Sequence, residues 1–185
     1  MEAKVLIRNV ALAASMLMSS ALFAQTTATG TINATLVNKS GISLVFDSDP
    51  GGVSVGSSGS STASMNLGVV SAYGALSAGV TRPTVGVNTY IVQTLFDVQV
   101  IEAGLVSPNY TLTAQLAAAA PTGLTYSVDA VTLTTGSQTI QATGTYNTDV
   151  QHTLKMTIST AASGSGGPAT GTPLTTTINF TATSN

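Results

Sequence analysis

The chain has 185 residues, of which only five are Lys or Arg and seven are Asp or Glu, while 43% are apolar. So few cations exclude a basic surface for nucleic acid, because that binding depends on neutralising several phosphates. A sequence with no Cys and one His also excludes a thiol nucleophile, a disulfide and a Cys/His zinc site.

The amino terminus has the pattern of a secretory signal peptide. Two cations precede an apolar run over residues 10–23, and a Thr-rich stretch opens after Ala24. The run of about 14 residues is shorter than the ~20 that a helix needs to cross a bilayer. The sequence therefore predicts a cleaved signal at residues 1–24, export to the cell surface or beyond, and no membrane span in the mature chain.

The second predicted unit is an amino-terminal extension, residues 25–37, in which apolar and polar residues alternate without a break. One face carries Ala28, Gly30, Ile32, Ala34 and Leu36, and the other carries Thr and Asn. Nine extended residues span about 30 Å, enough to line a groove between strands. Two interpretations stay open. The segment is the domain's own first strand, or it leaves the domain and completes a neighbour's sheet by β-strand addition.

Residues 38–185 form the third predicted unit, a domain in which period-2 alternation dominates and turn residues separate the runs. The clearest run places Val150, His152 and Leu154 on one face. This spacing predicts an all-β, antiparallel, immunoglobulin-like β-sandwich of about seven to nine strands. Nine segments carry the pattern: 28–37, 42–46, 63–70, 89–102, 110–117, 124–133, 138–146, 150–160 and 174–183.

Three segments resemble parts of secreted pilin-like subunits. Residues 30–38, Gly-Thr-Ile-Asn-Ala-Thr-Leu-Val-Asn, resemble the donor strand of fimbrial subunits from chaperone–usher systems. Residues 65–71, Met-Asn-Leu-Gly-Val-Val-Ser, look like an element of spore-coat-U-like immunoglobulin-fold domains, and residues 175–183 are similar to their final strand. The resemblance implies an incomplete fold that polymerises with copies of itself by donor-strand exchange. It also implies two assembly partners, a periplasmic chaperone and an outer-membrane assembly protein.

The composition of two predicted strands also favours association. Sheets usually guard their edges with Lys, Pro or inward-pointing charges, and segments 110–117 and 138–146 contain none of these. An unguarded edge invites a partner strand. Alternatively, loops such as 71–88 cover these edges in a monomer.

Candidate chemical sites are few. Asp47 and Asp49 precede a Pro-Gly-Gly turn, as at the start of some calcium loops, and are weak metal candidates. A plain turn with solvated carboxylates is favoured because no acidic residue follows before Asp97. His152 and Asp149 could be fitted to a hydrolase triad, but His152 falls on the apolar side of its strand and no Gly-x-Ser-x-Gly motif supplies a nucleophile.

Five Tyr residues could stack on a sugar, but packing in the core or at its rim is the favoured interpretation because the chain has no Trp. No cofactor and no enzymatic activity are predicted. The sequence favours a structural subunit of an extracellular filament or surface assembly. The alternative is a monomeric secreted adhesion or glycan-binding domain, with loops 50–62 and 163–173 reaching the partner.

Overall fold

The structure, a computed structural model, describes residues 26–36, 42–102, 107–159 and 173–185. The predicted signal peptide lies outside these residues, and so does nearly all of the predicted loop 163–173. All regular secondary structure in the described ranges is β-strand, which confirms the all-β prediction. None of the described segments forms a helix long and apolar enough to cross a membrane.

The strands form two six-stranded sheets. Sheet A has the order β10-β7-β12-β1-β4-β3, and sheet B has the order β2-β6-β11-β8-β9, with β5 also paired to β6. The strands are β1 (Thr26–Leu36), β2 (Ile42–Asp47), β3 (Val55–Gly56), β4 (Thr62–Val70), β5 (Thr81–Val85), β6 (Thr89–Glu102), β7 (Tyr110–Leu116), β8 (Leu124–Val128), β9 (Val131–Thr132), β10 (Gln138–Gly144), β11 (Asp149–Ser159) and β12 (Leu174–Ser184).

The core lies between the two sheets, where alternate residues of each strand point inward. Phe180 of sheet A packs edge-on against Phe46 and Phe96 of sheet B, with ring centroids 5.4 and 5.9 Å apart. All three side chains are fully buried. Aromatic pairs in this geometry stabilise a core beyond the area they bury, so this triplet fixes how the sheets face each other in a β-sandwich.

The nine predicted strands become twelve because the structure adds short ones. The predicted strand 124–133 turns at Asp129, which has a φ of 55°, and so divides into β8 and β9. The two-residue β3 lies in a predicted turn region, and β5 lies in the predicted covering loop 71–88. Such short or weakly alternating strands are held by backbone pairing to a neighbour and leave little trace in the sequence.

Segment 110–117 is not the unguarded edge strand that the sequence predicts. That segment is β7, which lies inside sheet A between β10 and β12. Segment 138–146 does supply an edge strand, β10, but its pairing with β7 shifts register twice, on either side of Gln141. Bulges of this kind disturb an edge, and β5 carries Pro83 at an edge of sheet B. The edges are guarded by bulges, short strands and Pro more than by charge.

Candidate functional site

The candidate interaction site is the slot that β1 occupies in sheet A. On one side β1 pairs in parallel with β12, from Ala28 opposite Leu174 to Leu36 opposite Ala182. On the other side it pairs antiparallel with β4, from Thr26 opposite Val70 to Asn33 opposite Thr62. The first strand of the domain is therefore bonded along both edges and joins two parts of the sheet.

Three segments singled out from the sequence are neighbours in this sheet. Residues 30–36 belong to β1, residues 65–70 to β4, and residues 175–183 to β12, in the order β4-β1-β12. Sequence reasoning identified the three segments, but it gave no indication that they pair with one another.

The inward face of β1 seals the core. Ile32 is 1% exposed and Ala28 is 5% exposed, as the alternation predicts. Ala34 and Leu36 align with Phe180 and Ala182 in the backbone register, but their side chains lie outside the described residues. Burying Ile32 contributes about 1.5–3 kcal/mol, and each net backbone hydrogen bond adds about 1 kcal/mol.

Gly30 has room for a methyl group. A methyl group on Gly30 would meet nothing closer than the backbone oxygen of Met65, at 3.9 Å. Close packing therefore does not require glycine at this position.

The outward face of β1 joins its neighbour through hydroxyls. The Thr29 hydroxyl donates to the backbone oxygen of Leu174 at 3.2 Å and lies 3.3 Å from the Thr175 hydroxyl. Next to the start of β1, the pairing with β4 is bulged between Ala28 and Thr29. Gly68 stands at this bulge with a φ of 66°, a conformation that glycine adopts without strain.

His152 is a packed histidine with one partner. It is 4% exposed, and its Nδ1 lies 2.9 Å from Oδ2 of Asp129. Oδ1 of Asp129 accepts a hydrogen bond from the backbone N–H of Thr153 at 2.8 Å. No described residue offers a partner to Nε2, which is buried. The carboxylate beside His152 is therefore Asp129 and not Asp149, which the triad hypothesis named. The contact between Asp129 and His152 stabilises the turn at Asp129.

Sequence reasoning missed Asp129 because it placed this residue in the middle of a strand. The usable signal was the residue type, since Asp is one of the few residues that tolerate a positive φ at a turn.

Asp47 and Asp49 lie at the end of β2 and are held by protein donors. Asp47 accepts a hydrogen bond from the Ser58 hydroxyl at 2.7 Å. Oδ1 of Asp49 accepts a hydrogen bond from the Gly51 N–H at 2.6 Å. Oδ2 of Asp49 accepts one from the side-chain amide of Gln151. Across the described residues, no group of three or more His, Asp or Glu side chains is placed to hold a metal ion.

Asp97 lies on β6, close to Asp47 and Asp49. Its pKa is raised mainly by burial, and the nearby negative charges of Asp49, Asp149 and Asp47 raise it further. His152 opposes this shift. Asp97 and Asp47 are directly opposite each other in the pairing of β6 with β2. Like charges at such positions destabilise this corner of sheet B.

Three of the five Tyr side chains are buried, as the packing interpretation predicts: Tyr110, Tyr126 and Tyr146. Tyr110 and Tyr146 lie against each other with ring centroids 5.2 Å apart. Burial raises the pKa of Tyr126, which also bonds to Thr176 across the two sheets. These rings do not form a sugar-stacking surface.

The predicted loop 50–62 is tied back to β2. The N–H of Phe46 donates to the Ser60 oxygen at 3.0 Å, and the N–H of Gly59 donates to the Phe46 oxygen at 2.8 Å. The tip residues 57–59 remain exposed.

No family model matches the chain, and comparison with curated proteins and with solved structures gives no match.

Proposed function

We propose that this protein is a structural subunit of an extracellular filament or surface assembly, and that subunits are joined when β1 of one copy fills the slot between β4 and β12 of the next. The donor face is Ala28, Gly30, Ile32, Ala34 and Leu36. The observation that carries the proposal is the double-edged pairing of β1, because a strand bonded on both sides supplies a large, sequence-specific contact to whichever body receives it.

The position of β1 in the chain supports the same proposal. It is the first strand in the described part of the chain, so once the predicted signal peptide is removed it can be withdrawn without pulling a loop through the sheet. Exchange of such an element between identical subunits keeps every native contact and is a low-cost route to association. When each copy donates to the next and receives from the previous one, the contact is head-to-tail, and it extends into a filament unless the rotation closes a ring.

The short connection from β1 to β2 restricts the geometry of exchange. Five residues, 37–41, separate Leu36 from Ile42, and six extended steps reach at most about 22 Å. A donated strand therefore enters a slot close to its own body. This predicts a compact filament, in which neighbouring bodies touch.

The central experiment is electron microscopy of the secreted protein with and without residues 25–37. The full mature chain is expected to form filaments, and the deletion is expected to abolish them. Thr31→Ala, on the outward face of β1, is the matched control and should leave the filaments intact. Filaments that persist unchanged after the deletion, or a wild-type protein that forms none, would contradict the proposal.

One observation favours the alternative, a monomeric secreted adhesion or glycan-binding domain. In the chain as described, β1 completes its own sheet, as the first strand of such a domain does. Size-exclusion chromatography separates the two functions, because a stable monomer of about 16 kDa would favour the alternative. A concentration-independent polymer would favour strand exchange.

A further inference from the structure

Charge is divided unequally between the two sheets. None of the described strands of sheet A contains Asp, Glu, Lys or Arg. The charged side chains in the described ranges belong to sheet B or to turns that adjoin its strands: Asp47, Asp49, Arg82, Asp97, Glu102, Asp129, Asp149 and Lys155. Six of these eight are acidic, so sheet B carries a net negative charge and sheet A carries none.

The outward face of sheet A is an ordered array of hydroxyl and amide side chains. The pairing registers align them in rows that cross the strands, and their inward neighbours, such as Ile32 and Ile178, are buried. One row is Thr62, Asn33, Asn179 and Gln115, a second is Ser64, Thr31 and Thr177, and a third is Thr181, Thr113 and Thr139. These side chains are half-buried or exposed.

Because its described strands carry no charged side chain, the outward face of sheet A costs less free energy to cover than the face of sheet B. Covering a charged group is costly unless the group is paired, whereas covered hydroxyls and amides can bond to each other across a contact. Sheet B has the opposite property, because two copies of a net-negative face repel each other. The outward positions of the three rows also carry no aromatic ring, the group on which a sugar would stack.

We propose that the outward face of sheet A is a self-association surface that binds the same face of a second copy. The two faces are identical, so a two-fold contact is reciprocal, and residues near its axis meet their own copies. Thr and Asn side chains each carry a donor and an acceptor, which lets an identical side chain serve as the partner. Asn179 lies near the middle of the array, between Asn33 and Gln115.

The size of the face sets the strength of the contact. The four central strands, about 4.8 Å apart, give a width of about 19 Å, and nine paired residues give a length of about 30 Å. The resulting area, about 600 Å² per subunit, is below the ~800 Å² per partner of a standard stable interface. A single pair of faces therefore associates weakly, and the contact becomes stable where many copies are arrayed, as on neighbouring filaments.

The proposal does not rest on strand exchange. Exchange uses the backbone edges of β4 and β12 inside the sheet, whereas this contact uses side chains on its surface. A charge introduced on the surface therefore affects the two differently, and the two proposals fail separately.

The test compares two nearly isosteric substitutions that each add one negative charge. Asn179→Asp places it at the centre of the sheet A face. Gln93→Glu places it on the outward face of β6 in sheet B, beside Lys155, at a position with the same half-buried character. Sedimentation of the full mature chain over a range of concentrations measures the association constant, and circular dichroism monitors the fold.

The wild type is expected to show concentration-dependent association at low salt. Asn179→Asp should weaken it about tenfold, because like charges then meet across the two-fold contact, and Gln93→Glu should leave it within about twofold. About 1 M salt should restore association of Asn179→Asp, since charge is screened beyond ~3 Å there. If Asn179→Asp alters the fold, Gln115→Glu on the neighbouring strand replaces it and should weaken association in the same way.

Three results would overturn the proposal. The first is a wild type whose mass does not rise with concentration. The second is an association constant that Asn179→Asp leaves unchanged. The third is an equal decrease of the association constant in the Asn179→Asp and Gln93→Glu proteins. If strand-exchanged filaments form, Asn179→Asp should leave single filaments intact and remove their lateral bundling.

Discussion

Ile32 on the first strand and Ile178 on the last are parallel-register partners at the centre of sheet A, and neither is more than 2% exposed. The first and last of the described strands thus meet in the core. Contacts between residues so far apart in sequence form only after a large loss of chain entropy. We therefore expect β1 to dock late in folding, which leaves its slot open to a strand from another copy.

The first prediction concerns Ile32→Ala. Removing a buried branched side chain from a packed core costs about 2–5 kcal/mol in the free energy of unfolding. Thr31→Ala, on the outward face of the same strand, should cost less than about 1 kcal/mol. Urea unfolding followed by fluorescence or circular dichroism measures both. Equal losses in the two variants would mean that the inward face of β1 does not seal the core.

The second prediction compares the effect on stability of alanine at two strand glycines, Gly30 and Gly144. Gly30→Ala should be tolerated or slightly stabilising, by up to about 1 kcal/mol, because glycine weakens a strand and the space for a methyl group exists. Gly144→Ala should cost about 1–3 kcal/mol, since its methyl group would lie 2.2 Å from the ring of Tyr110, which packs against Tyr146. Thermal melts of both variants check this. A Gly30→Ala protein less stable than Gly144→Ala would contradict it.

Much of the fold is predictable from alternation, because a strand with one buried face must place apolar residues at every second position. That rule predicts β1, β7, β11 and β12 with nearly the right ends. It says which face of a strand is buried, but not which strand is its neighbour. The parallel pairing of β1 with β12 and the interior position of β7 depend on contacts between distant residues.

The third prediction tests the pair that the sequence missed. Asp129→Ala removes the partner of His152 and the acceptor for the Thr153 N–H, and it places alanine at a positive φ. A loss of about 2 kcal/mol is expected, because hydrogen bonds to a charged group contribute about 1.5–3 kcal/mol and the His152 ring stays buried. The measurement is urea unfolding at neutral pH.

Asp129→Asn is the matched control for that variant. Asn tolerates a positive φ and keeps an acceptor for the Thr153 N–H, so it should lose about half as much. If the Ala and Asn variants lose equal stability, neither the acceptor for the Thr153 N–H nor tolerance of the positive φ contributes to the loss.

The fourth prediction is a pH dependence from Asp97, whose pKa is raised by burial and by three neighbouring carboxylates. Between the ordinary Asp pKa and this raised value, the folded protein binds more protons than the unfolded chain. The contribution of this group to stability therefore falls as pH rises through that window and is greatest below it. Asp97→Asn should be more stable than wild type at pH 7, and the difference should shrink at acid pH.

Asp149→Asn provides the control for this dependence, because it acts on Asp97 through charge alone. It should lower the pKa of Asp97, measured by NMR titration of the side-chain carboxyl. An Asp97→Asn protein that is less stable than wild type at pH 7, or an advantage that does not vary with pH, would contradict this account.

The candidate sites were less predictable than the fold. The residues that face β1 come from β4 and β12, which no spacing in the sequence joins to it. The Asp129 carboxylate and the His152 ring meet only because a turn interrupts a segment with strand-like alternation. The strand β5 has one half-buried residue among exposed ones and a Pro at its centre, so neither alternation nor composition marks it as a strand.

The most direct test of strand exchange uses the absence of Cys from the sequence. In Thr29→Cys/Thr175→Cys, the two thiols replace hydroxyls that lie 3.3 Å apart across β1 and β12, and an oxidised disulfide records which β12 each β1 has joined. Thr113→Cys/Thr181→Cys, which joins β7 to β12 within one body, is the control. After assembly and oxidation, denaturing electrophoresis without reductant should show a ladder of covalent multimers for the first pair and a single monomer band for the control. A monomer band from both pairs would show that β1 stays in its own sheet, and it would contradict assembly by strand exchange.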